Sequence, residues 1–218
     1  MSAGWSGGGR GPIALAGRSG SALAGRAAVL LDRDGTLNEL APDPDSGLPE
    51  SPLSVGGVRL IAGAAAATAS FAAAGYALVC VSNQPAAAKG KATVEKLEAV
   101  HEAVLRLLAE QGVEIELSLL CLHHPAGTSP ALSGSCECRK PAPGMLLQAA
   151  DALVLDLASS WMIGDTDTDV AAGHAAGCKT VLLEHRPSAH KRAGAGDPDV
   201  RARDLSDAAA QLLGGSTA

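Results

Sequence analysis

Three observations in this sequence predict an α/β fold, a doubly wound parallel sheet covered by helices on both faces. Short, wholly apolar runs alternate with helical stretches from Ala27 onward. Several helical stretches stop at a glycine. The residues able to do chemistry gather where the apolar runs end, at the edge where open α/β sheets bind ligands.

The apolar runs place strands at 27–32, 76–82, 115–121, 160–164, 179–184 and 198–202. Helices are predicted between and after them at 61–74, 93–111, 144–156, 168–176 and 205–213. Gly75, Gly112 and Gly177 close three of these, where a left-handed cap needs no Cβ. Residues 1–26 are rich in Gly, Ser, Ala and Arg without a sustained period. They are expected to form a flexible leader outside the fold, with Trp5 an isolated aromatic of no assigned role. A chain of 218 residues then leaves one good-sized domain at 27–218. Segments 39–58 and 122–143 are too long for simple connections, and loops of that length are usually functional or externally stapled.

With 47% hydrophobic residues but only 2% aromatic ones, the expected core is built from small aliphatic side chains. A net charge of -6 argues against a broad grip on nucleic acid and leaves room for a local phosphate pocket. No apolar stretch of about 18 residues appears and the N-terminus lacks a secretory h-region, so a soluble cytoplasmic protein without a membrane partner is expected.

Four motifs hold the chemistry. The strand at 27–32 ends in Asp32-Arg33-Asp34-Gly35-Thr36-Leu37-Asn38. Transfer of a phosphoryl group to a carboxylate needs a nucleophile and a second group to protonate the leaving oxygen, and Asp32 and Asp34 provide that pair, with Gly35 bending the chain. Asp-x-Asp-Gly also occurs in ordinary turns and calcium loops, so alone it divides evenly between the two readings. Val81-Ser82-Asn83-Gln84 puts a hydroxyl and two amides at the next strand end, able to bind phosphoryl oxygens or merely to begin a helix; alone, the second reading is favoured. Arg139-Lys140 precedes a helix, where Lys140 can neutralise charge and Arg139 can fork onto a phosphate. Gly164-Asp165-Thr166-Asp167-Thr168-Asp169 delivers an acidic cluster suited to a hard cation. Asp165 is the best ligand candidate, Asp169 a supporting residue or helix-dipole partner, and Asp167 is expected to be solvated.

Cys121-x-His123-His124-Pro125 and Cys136-x-Cys138 add three thiols and an imidazole, a closed tetrahedral Zn²⁺ set that would staple the 122–143 loop. Cys80 and Cys178 read as buried packing thiols, His101 and His174 as surface or core residues, and 185–192 as a solvated basic segment.

In this order the four motifs resemble the haloacid dehalogenase (HAD) superfamily of phosphohydrolases over roughly residues 27–185. The resemblance implies a Rossmann-like core and an aspartyl-phosphate intermediate on Asp32, with Asp34 as acid/base. It also implies phosphate binding by Ser82 and Lys140, and Mg²⁺ held by Asp32, the Asp34 backbone carbonyl and Asp165. The Cys-x-His loop preceding Cys-Arg-Lys-Pro is similar to the D-glycero-D-manno-heptose 1,7-bisphosphate 7-phosphatases and the histidinol-phosphate phosphatases. That implies no large cap domain, a pocket lined by Ser82, Asn83, Gln84, Arg139 and Lys140, and a small phosphorylated metabolite, a sugar bisphosphate, as partner. The chain departs from the heptose enzymes at 39–45, which lacks their aromatic pattern, and at Pro85-Ala86-Ala87-Ala88-Lys89-Gly90, which replaces Ser-Gly-Ile-Ala-Arg-Gly. Both departures bear on substrate recognition rather than phosphoryl transfer. The competing readings are a nucleic-acid 3′-phosphatase, opposed by the acidic balance, and a non-catalytic zinc-stapled binding domain, opposed by the intact acidic and cationic set.

Overall fold

The computed structural model describes residue 11 and residues 13–17, 25–194 and 196–214. A seven-stranded sheet runs in the order β1-β6-β5-β2-β7-β8-β9. Its strands are β1 (Ile13–Gly17), β2 (Ala28–Leu31), β5 (Ala77–Asn83), β6 (Leu117–Cys121), β7 (Trp161–Gly164), β8 (Lys179–Leu183) and β9 (Val200–Ala202). β3 (Ala41–Pro42) and β4 (Pro49–Glu50) form a separate antiparallel hairpin. The helices are α1 (Ala64–Ala73), α2 (Val94–Ala109), α3 (Gly144–Leu153), α4 (Asp167–Ala176) and α5 (Leu205–Gly214). The six strands from β2 onward in the main sheet pair in parallel, as the unbroken apolar runs predict for strands covered on both faces.

Alternate side chains of β2 go to opposite cores. Val29 and Leu31 pack with Phe71 of α1, Val100 and Val104 of α2 and Ala208 of α5. Ala28 and Leu30 pack with Met145, Leu146 and Ala149 of α3 and Ala172 of α4. Helices on both faces make the sheet doubly wound, and the alanine-rich composition lets them sit close to it. The glycine stops hold as well: Gly75, Gly112 and Gly177 take φ of 93°, 78° and 83°, each just past a helix.

The leader expectation needs one correction. Within residues 1–26, Ile13–Gly17 form β1, antiparallel to β6 at the sheet edge. Most of the leader, Trp5 included, lies outside the described residues.

The chain winds from β2 out to β6, then returns to lay β7 against the other side of β2. Neighbouring connections leave β2 and β7 in opposite directions, so a crevice opens at their carboxyl ends, and both acidic motifs end there. The 39–58 segment is ordered by the β3–β4 hairpin and a 3₁₀ turn at Val55–Gly57. Asp43 closes the hairpin turn, accepting from the Asp45 and Ser46 amides at 3.1 and 3.0 Å, and Lys91 reaches its other oxygen at 2.8 Å.

Candidate active site

Register fixes the site before any side chain is considered. Leu31 pairs with Cys80 on one side and Ile163 on the other, and the Asp32 amide still donates to the Ile163 carbonyl at 2.9 Å. Asp32, Ser82 and Asp165 therefore leave neighbouring strands at nearly one level. They line a cavity of about 270 Å³ together with Asp34, Asn83, Arg139, Lys140 and Asp169.

Lys140 is the buried hub. Its ammonium donates to Asp32 Oδ1 and to the Val81 carbonyl, both at 2.7 Å, and pairs its charge with Asp169 Oδ1 at 2.6 Å. Burial works to lower its pKa, but Asp169 and Asp32 outweigh burial and hold the amine above its ordinary range. Asn83 fixes the backbone beneath it: its amide donates to the Lys140 carbonyl at 3.0 Å and its oxygen accepts the Lys140 N–H at 3.1 Å.

Burial is also the largest influence on Asp32. It pushes the carboxyl up to about 6 against the pull of Lys140, with Asp169 and Asp34 adding to the rise. At neutral pH this group is still mostly ionised, and it faces the cavity. Asp34 behaves in the opposite way. Burial would raise its pKa, but a forked pair from fully buried Arg33 (2.8 and 3.0 Å from Nη2), Asn38 at 2.9 Å and Gln84 at 2.5 Å hold it below the usual carboxylate range.

Asp165 is the least compensated group. Neither of its oxygens meets a hydrogen-bond donor, and it is 1% exposed. The nearby Ser188 hydroxyl spends its single hydrogen on the His185 carbonyl. Burial, then Asp32 and Asp169, push the Asp165 carboxyl up to about 8. Two glycines admit this crowding. A Cβ on Gly35 would lie 2.0 Å from Asp165 Oδ2, and one on Gly164 would lie 2.3 Å from Asp169 Cγ.

One oxygen each from Asp32, Asp165 and Asp169 falls within 4.8 Å of the others. Arg33 balances Asp34, which leaves this trio with Lys140 as its buried counter-charge and, once Asp165 is ionised, an excess of two negative charges, the amount that one divalent cation would offset. The donor set therefore fits a hard divalent ion. Asp169, read from sequence as a supporting residue, stands inside the carboxylate cluster. It also accepts the Thr166 amide at 3.0 Å, starting α4. The Asp34 carboxylate is turned to Arg33 and stands outside this carboxylate trio.

The second cluster lies where β6 leaves the sheet. Cys138 Sγ is 3.1 Å from Cys121 Sγ, 3.3 Å from Cys136 Sγ and 3.5 Å from His123 Nδ1, and all five cysteines are free thiols. Four donors of this kind within 4.8 Å of one another fit a closed tetrahedral metal site. Arg139 follows directly and donates to the His123 carbonyl at 3.2 Å, so the cluster and the cationic motif are one construction.

Several expectations change. Gln84 is fully buried and its amide nitrogen goes to Asp34 and to Ser82 Oγ at 3.0 Å, so it works behind the cavity, not on its wall. Asp167 is not simply solvated, since it accepts the Ala193 amide at 2.6 Å. The 185–192 segment is no loose basic run. Arg192 donates to the carbonyls of Asp165 (2.9 Å), Leu183 (3.3 Å) and His185 (3.1 Å), and Lys191 lines the cavity beside Glu50. Neither Glu50 nor Lys191 carries a local sequence signal, because their segments meet only after folding. Cys80 and Cys178 are packing thiols, each pushed up to about 12 with burial as the leading cause. His101 is a fully buried core residue, held down to about 3 by burial and by the Arg33 charge.

Among the described residues, no helix is long and apolar enough to cross a membrane. A model of the HAD-hydrolase-like family matches residues 137–208. The chain is 39% identical to the D-glycero-beta-D-manno-heptose-1,7-bisphosphate 7-phosphatase of Yersinia pestis over 72% of its own length and 79% of that protein's. It is 38% identical to the enzyme of the same name from Escherichia coli K12, over 72% and 78%. Among solved structures, the D,D-heptose 1,7-bisphosphate phosphatase of B. bronchiseptica, complexed with magnesium and phosphate, superposes with a TM-score of 0.73 at 30% identity, covering 87% of this chain and 99% of that one.

Proposed function

This chain belongs to the HAD-like hydrolases, in the branch that holds the heptose-bisphosphate phosphatases, and on that premise we propose that it is a phosphomonoester hydrolase removing the 7-phosphate of D-glycero-D-manno-heptose 1,7-bisphosphate. The observation that carries the reading is the meeting of Asp32, Lys140 and Asp165 at the floor of one cavity.

In the proposed reaction an Asp32 oxygen forms a bond to phosphorus while the ester P–O bond breaks. The leaving oxygen takes a proton from Asp34. Water then attacks the aspartyl phosphate, Asp34 takes its proton back, and inorganic phosphate leaves. The Arg33 fork suits that second half, where Asp34 must be a base. In the first half, the negative charge of the arriving phosphate raises the Asp34 pKa and favours the protonated form. Lys140 neutralises Asp32 and the transferring group, and Ser82 supplies a neutral hydrogen bond to it. Arg139 at the wall serves the substrate's remaining polar groups, and Asn83 keeps Lys140 in place.

Asp32, Asp165 and the Asp34 backbone carbonyl would hold Mg²⁺, with Asp169 beside them, and the ion would supply positive charge against the phosphoryl oxygens. Cys121, His123, Cys136 and Cys138 would hold a structural Zn²⁺ that fixes the approach to Arg139 and Lys140.

The test is phosphate release with Mg²⁺ from both heptose bisphosphate anomers and from histidinol phosphate. A clear kcat/KM preference for a heptose bisphosphate is expected, and a preference for histidinol phosphate overturns the substrate. Asp32→Asn should fold and lose about 10³-fold or more in kcat. Turnover comparable with the parent protein in that variant removes the nucleophile.

A further inference from the structure

We propose that Lys191 is a specificity-determining residue of this site, taking the anionic group at the far end of the substrate, with Glu50 as its partner when that group is absent. The proposal rests on the bisphosphate reading above and names the residue that would recognise the phosphate that is kept.

The second phosphate needs a cation other than Lys140. Lys140 is already held by Asp32, Asp169 and the Val81 carbonyl at the cleaving end. Three further cations line the same cavity, Lys89, Arg139 and Lys191, and Lys191 is the one set opposite an exchangeable partner, its ion pair with Glu50 at 2.7 Å. That pair is partly open to solvent, with side chains 27% and 44% exposed, and such pairs are weak and readily exchanged. A phosphate carrying close to two negative charges competes well against one carboxylate for the same ammonium.

The position of Lys191 is also well defined. The 3₁₀ segment Arg186–Lys191 ends at Arg192, whose guanidinium is bound by the carbonyls of Asp165, Leu183 and His185. Ser188 in its middle is fully buried. The ammonium is thus carried by a strap tied to the Asp165 backbone, and its distance from the phosphate-cleaving end is set by the fold. Glu50 comes from β4, on a different part of the chain, so the pair joins the hairpin to the strap at the edge of the cavity.

The two halves of the pair make opposite predictions, which a simple latch would not. Lys191→Met should raise KM for the sugar bisphosphate about tenfold or more with kcat little changed, the signature of lost ground-state binding. Glu50→Gln removes the competitor and should leave KM the same or lower it. p-Nitrophenyl phosphate, which has no second anion, should lose far less than the bisphosphate in Lys191→Met. Equal damage from both variants, or equal loss on both substrates in Lys191→Met, shows a structural latch and overturns the assignment. An unchanged KM in Lys191→Met overturns it too. A parent protein that cleaves p-nitrophenyl phosphate but not the heptose bisphosphate refutes the substrate reading instead. The variants are then scored on whichever other sugar bisphosphate it turns over, and if it turns over none, the Lys191 assignment falls as well.

Discussion

Replacing Gly35 by alanine separates two effects that usually arrive together. Gly35 has φ of +91°, where an L residue is strained by about 1–2 kcal/mol. For a chain of this size, that strain corresponds to a drop of roughly 2–8 °C in melting temperature. Gly75 offers the matched control, with φ of +93° and nothing within 4 Å of its would-be Cβ. Gly75→Ala should therefore show the thermal loss and keep its activity. In Gly35→Ala the new methyl would sit 2.0 Å from Asp165 Oδ2 and 2.7 Å from Cγ, far inside van der Waals contact, so the carboxylate must swing out by an ångström or more. Displacements of about 1 Å at a reacting centre can cost about 10²-fold in rate. The expected result is a melting temperature close to that of Gly75→Ala, with phosphatase activity lower by about 100-fold and a higher Mg²⁺ requirement. Differential scanning fluorimetry and Mg²⁺-dependent phosphate release measure the two quantities. Activity within a few-fold of the parent protein in Gly35→Ala would show that the position of Asp165 against Gly35 does not matter to turnover.

Two more outcomes follow from the buried charges and the thiol cluster. Asp32 and Asp165 titrate at about 6 and about 8 when folded, against about 3.9 when unfolded, so the unfolded chain gives up those protons first. Without Mg²⁺ these two carboxyls should lower stability as pH rises from about 4 to 8; the lowered pKa of buried His101 opposes them up to about pH 7, that of Asp34 changes stability only below about pH 5, and the raised one of Lys140 contributes nothing variable in that window, so a net loss is expected between about pH 7 and 8. Added Mg²⁺ should raise the melting temperature more at pH 8 than at pH 5; equal shifts, or stability rising between pH 7 and 8 in its absence, would contradict the charge assignment. Cys138→Ser should lower bound zinc from about one equivalent and lower both thermal stability and activity, because the cluster anchors the segment that delivers Lys140. Purified parent protein with only a trace of zinc by elemental analysis would refute the four-ligand site.

The sequence alone determined the alternation of elements, their boundaries to within a few residues, the glycine caps and the four motifs at strand ends. These are local properties, written in the period of apolar residues and in backbone conformations that glycine permits. The Cys/His set was equally legible, because its members stand close together along the chain. Only the tertiary structure decided that Arg33 and Gln84 turn inward to Asp34, that Asp169 joins Asp32 and Lys140, and that Glu50 meets Lys191. It also decided that Ile13–Gly17 adds an edge strand. Each of these depends on which segments the winding of the sheet brings together and on how buried charge is balanced there. Pairings between residues far apart in the chain leave no periodic trace in the sequence.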